Sequence, residues 1–114
     1  MKMKKAEQIL GNEITVFNWL NTDYTAFELY LYDDLRLRVQ KKAFWRISQN
    51  GKILYSSANR IGNKQIVAMR DLLEEKKIKK ITEQKNGDVI IYLNKKTKLE
   101  LFKEKDDSCV AVIE

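Results

Sequence analysis

A chain of 114 residues with 44% apolar and 33% charged side chains, four Gly and no Pro has globular composition, and its length suits one domain with a continuous core. The lack of His and the single Cys exclude a His-based triad, a Cys-rich zinc site and an internal disulfide framework. Net charge is +6, from 22 Lys and Arg against 16 Asp and Glu, which favours an acidic partner.

The basic start, "MKMKKAEQILGNE", is not followed by an apolar segment of signal-peptide length. No stretch approaches the ~20 apolar residues that span a bilayer, so a cytoplasmic protein without membrane contact is expected. Residues 3 to 10 read as a short helix ending at Gly11, where a left-handed cap is permitted. Strands follow near 13–20, 24–31, 35–40 and 44–49. "SQNGKI" supplies a hairpin turn at Asn50 and Gly51, and residues 52–56 return as a strand. The strongest helix is 63–77, with Asn63 as a cap, an apolar face of Ile66, Met69, Leu72 and Leu73, and Lys76 and Lys77 at its end. Strands recur near 78–84, 88–94, 98–103 and 108–113, with a second Asn-Gly turn in "NGD", 86–88.

The segment "LYLYDDLRLRVQ", 29–40, carries a register within it. If Phe27, Leu29 and Leu31 face the core with Leu35, Leu37 and Val39, a three-residue bend covers Tyr32, Asp33 and Asp34. Leu29 then lies opposite Leu37, Tyr30 opposite Arg36 and Glu28 opposite Arg38. Asp33 and Asp34 are turn residues in this reading rather than a site, because Asp side chains accept local backbone hydrogen bonds.

A shift of 64 residues aligns Ile9 with Leu73, Ile14 with Ile78, Phe17 with Ile81, Leu29 with Leu93 and Leu37 with Leu101. Trp45 and Ile47 then fall on Cys109 and Ala111. The expected fold is α+β: a predominantly antiparallel sheet with a packed helix, one domain over 1–114, in two related helix-plus-strand-meander halves near 1–57 and 65–114. Chance likeness between two meanders is the alternative origin of the pattern.

Carboxylate pairs occur at Asp33–Asp34, Glu74–Glu75 and Asp106–Asp107; sequence neighbours do not by themselves converge on a substrate. Cys109 sits in the apolar run "SCVAVI" and reads as a small core side chain. "NRIGNKQ" lacks the composition of a phosphate-binding loop. A non-enzyme without cofactor or metal is expected.

Two binding surfaces stand out. Lys76, Lys77, Lys79 and Lys80 in "EEKKIKKITEQK" could touch nucleic-acid phosphates, although Glu74, Glu75 and Glu83 dilute the patch. In "FWRISQNGKILYSS", a two-residue turn puts Trp45, Ile47 and Leu54 on one face and Phe44, Arg46, Ile53 and Tyr55 on the other, with Arg46 and Tyr55 nearly opposite. One face is core, and the other is covered by a helix or offered to a partner. A protein-binding surface would comprise Tyr30, Arg36, Arg38, Phe44, Arg46 and Tyr55.

"LRLRVQKKAFWRISQNGKIL", 35–54, resembles small immunity-type proteins that Gram-positive bacteria encode beside polymorphic toxins. The resemblance implies a cofactor-free inhibitor that binds a cognate toxin. Nuclease inhibitors of this kind are often acidic, so a chain of charge +6 points instead to a toxin with an acidic surface.

Overall fold

Period-2 burial is the organising feature of the computed structural model, which describes residues 6–21, 26–39, 44–58, 63–102 and 111–113. The elements are α1 (Ala6–Ile9), β1 (Val16–Trp19), β2 (Phe27–Tyr30), β3 (Arg36–Val39), β4 (Phe44–Gln49), β5 (Lys52–Ser56), α2 (Asn63–Leu73), β6 (Ile78–Glu83), β7 (Val89–Leu93), β8 (Thr97–Phe102) and β9 (Ala111–Ile113). They build an α+β fold of two antiparallel sheets, ordered β1-β2-β3-β9 and β5-β4-β8-β7-β6. Phe17, Phe27, Leu29, Leu37, Val39, Trp45, Ile47, Met69, Leu73, Ile91, Leu99 and Leu101 share one buried cluster, so both sheets and α2 enclose the same core.

The register read from 27–39 holds: Phe27 pairs with Val39, Glu28 with Arg38, Leu29 with Leu37 and Tyr30 with Arg36. The Leu31 amide donates to the Leu35 carbonyl at 2.8 Å, closing the three-residue bend. Asp33 (φ 63°) and Asp34 (φ 60°) are both left-handed, a conformation that Asp tolerates better than most residues.

Three expectations need correction. The helix expected over 63–77 ends at Leu73, because Glu75 turns left-handed (φ 71°) and the chain leaves to pair with residues 11–14. Lys76 and Lys77 therefore lie beyond the helix. The hairpin does turn on Asn50 (φ 54°) and Gly51 (φ 80°), but a bulge makes Leu54 an extra residue on β5. Tyr55 consequently pairs with Ile47 and packs on the core, while Ser56 lies opposite Arg46. Arg46 and Tyr55 are on opposite faces.

The third correction concerns the repeat. Both halves run helix, three-strand meander, then a fourth strand, but the fourth strands are exchanged: β4 pairs with β8, and β9 with β3. The offset is 64 residues at β1 and β6, 62 at the following hairpin, where Leu29–Leu37 corresponds to Ile91–Leu99, and 66 at the fourth strands. Trp45 and Ile47 thus correspond to Ala111 and Ile113, not to Cys109 and Ala111. The likeness is closest where the halves meet. Gly11 N donates to Ile78 O (2.7 Å) and its counterpart Glu75 N to Ile14 O (2.8 Å), while Ile14 N–Lys76 O and Ile78 N–Asn12 O are both 2.9 Å. Glu13 bridges to Lys77, its own counterpart, so a pseudo-twofold axis passes between them. This ladder joins the β1 edge of one sheet to the β6 edge of the other.

Cys109, Asp106 and Asp107, and the Asn63 side chain expected to cap the helix, lie outside the described residues.

Candidate protein-binding face

Core side chains occupy one side of β4, β7 and β8, which leaves Phe44, Arg46, Ser48, Ile90, Tyr92, Lys98, Glu100 and Phe102 on the outer side. Cross-strand pairing fixes their neighbours. Phe44 meets Phe102, with ring centroids 5.4 Å apart. Arg46 meets Glu100 in a two-pronged contact, Nε to Oε1 at 3.0 Å and Nη2 to Oε2 at 3.2 Å, and its guanidinium lies 5.0 Å from the Phe102 ring centre. The fork holds Arg46 over the Phe102 ring, at little entropic cost to a partner that covers it. Ile53 (52% exposed) and the bulged Leu54 (38%) extend the apolar area at the β5 edge.

Lys80, Tyr92 and Lys98 form a second row across β6, β7 and β8, with Lys80 Nζ 5.6 Å from the Tyr92 ring centre.

The six residues singled out from sequence do not form one surface. Phe44 and Arg46 lie on this face, Tyr55 points to the core, and Tyr30, Arg36 and Arg38 lie on the outer face of the other sheet. There they surround Glu28, a residue only 3% exposed. Tyr30 donates its hydroxyl to Glu28, and Arg36 and Arg38 approach at 3.9 and 3.6 Å. Burial alone would raise the Glu28 carboxyl, but the Tyr30 and Asn18 hydrogen bonds and the two guanidinium charges more than offset it and leave the pKa lowered. Arg36 and Arg38 thus share one carboxylate within the fold, and Arg46 has Glu100.

The four lysines of the basic run also separate. Lys76 is buried (9% exposed), Lys77 belongs to the bridge with Glu13, Lys79 is the extra residue of a bulge, and Lys80 faces outward over Tyr92.

Glu100, Phe102, Tyr92 and Lys98 were missing from the sequence-derived surface. Alternation in "TKLELF" puts Lys98, Glu100 and Phe102 on one face, but no local signal pairs β8 with β4.

Among the described residues no group of His, Cys, Asp and Glu could hold a metal ion, and no helix is long and apolar enough to cross a membrane. No family model, no curated protein and no solved structure matches this chain.

Proposed function

We propose that this chain is a non-catalytic protein-binding module that inhibits a protein partner with an acidic surface, in the manner of an immunity protein against a cognate toxin. The contact surface is the outer face of the five-stranded sheet. The observation that carries this reading is the Phe44–Phe102 pair with Arg46 held over Phe102 by Glu100. Clustered aromatics beside an oriented Arg are the residue types that dominate protein interfaces. Glu28 and Glu100, the most buried carboxylates described, are each engaged by Arg, which suits framework roles rather than proton transfer.

The test begins with a partner recovered from the native host or made from a neighbouring gene. Phe44→Ala and Phe102→Ala should each weaken its binding by about tenfold or more, by calorimetric titration, with the fold intact by circular dichroism. Folded variants that bind as the parent does would refute the assignment.

A further inference from the structure

The pseudo-twofold relation supplies an internal comparison for the basic residues. The bend Tyr32-Asp33-Asp34 corresponds to Asn94-Lys95-Lys96, and Asn12 to Lys76. Both bends place two successive residues in left-handed backbone, Asp33 and Asp34 in one, Lys95 (φ 60°) and Lys96 (φ 56°) in the other. Asn12 closes the first bend, its Oδ1 accepting the Tyr32 amide at 3.0 Å. Lys76 occupies the matching position, where burial and then the charge of Lys95 push its pKa down. One backbone device therefore carries acids in one half and gathered cations in the other.

Beside the basic bend lies a concavity of ≈ 380 Å³, lined by Asn50, Gly51, Tyr92, Leu93, Lys96, Thr97 and Lys98. None of these is acidic. Arg46 has Glu100 and Arg36 and Arg38 have Glu28, whereas Lys80, Lys95, Lys96 and Lys98 have no ion pair among the described residues. Like charges held together without counter-charge cost stability, and an incoming anion relieves that cost.

We propose that the concavity between the Asn50–Gly51 turn and the Lys95–Lys96 bend receives an acidic, Asp- or Glu-bearing segment of the protein partner, whose carboxylates meet Lys80, Lys96 and Lys98 while its stem lies against Tyr92. This rests on the protein-binding reading and names the partner chemistry at one end of that face. A peptide segment fits better than nucleic acid. Lys96 and Lys98 line one hollow and Lys80 lies over the Tyr92 ring at its wall, rather than tracking along a backbone, and among the described residues Tyr92 is the only aromatic in the lining.

The probe is a fluorescein-labelled deca-glutamate peptide, titrated into the 114-residue chain at low salt, with a ten-residue oligothymidylate as comparator. The peptide should bind, weaken as salt rises, and lose about tenfold or more in affinity with Lys80→Glu plus Lys98→Glu. Lys64→Glu plus Lys85→Glu changes net charge equally and should leave affinity within about twofold. Lys96→Gln is a milder second variant should the strand pair fail to fold, and it should weaken peptide binding too. Equal loss in the control pair overturns the site, as does no peptide binding at low salt or tighter binding of the oligothymidylate through the same lysines. With the partner itself, loss on Phe44→Ala but not on the lysine changes overturns this inference alone. Indifference to both sets overturns the protein-binding face as well.

Discussion

Glu28 and Glu100 project from outward sheet faces, yet neighbouring side chains cover them so that each is 9% exposed or less. The Tyr30 and Asn18 donors and the nearby Arg36 and Arg38 guanidinium groups favour the Glu28 carboxylate, while Glu100 is held by the two-pronged Arg46 contact. Glu28, with its pKa lowered in the fold, adds stability that is complete above the ordinary carboxylate range and lost as pH falls through the depressed value. Glu28→Gln should therefore lower the melting temperature near neutral pH, and the gap to the parent should close as acid protonates the parent's carboxyl. A gap that is constant with pH would contradict the charge-based account. Trp45 is the opposite kind of residue: wholly buried, with its ring 5.2 Å from Phe27 and 6.1 Å from Trp19. Trp45→Ala should cost about 3–5 kcal/mol in denaturant unfolding; a loss well under 1 kcal/mol would remove Trp45 from the core.

At the scale of elements, the sequence was most legible where alternation and turn chemistry agree. Residues 27–39 carry both, and their register follows residue by residue. The β4–β5 hairpin has the right turn, but its bulge could not be read, since "KILYS" shows no Gly or Pro to mark an extra residue. Beyond the bulge the pairing is that of a regular ladder without Leu54. Deleting Leu54 should thus preserve the fold with Tyr55 still opposite Ile47, checked by amide chemical shifts, whereas global unfolding would show the bulge to be required. The two helix ends form another matched pair. Gly11 takes its left-handed turn (φ 79°) without strain, and Glu75 takes the same turn with a side chain in the way. Glu75→Gly should stabilise the protein by up to about 1 kcal/mol in denaturant unfolding. Clear destabilisation would mean that the Glu75 side chain has a role its backbone does not reveal.

For the whole molecule, the repeated apolar pattern pointed to related halves, but not to how they join. A single offset hides connections of unequal length, and strand exchange is a non-local choice that local pattern does not encode. The candidate face depends on that choice: Phe102 and Glu100 come from the second half and meet Phe44 and Arg46 of the first. Exchange also stitches the halves into one core, so far-ultraviolet circular dichroism and Trp fluorescence should report a single coincident unfolding transition. Separate transitions would indicate halves that fold independently. The most direct test of the proposed face is hydroxyl-radical footprinting of the chain alone and with its protein partner bound. Oxidation of Phe44, Tyr92 and Phe102 should fall in the complex while Tyr30 and Tyr32 keep their rates; protection of Tyr30 and Tyr32 with Phe44, Tyr92 and Phe102 unchanged would place the partner on the other sheet and contradict the account.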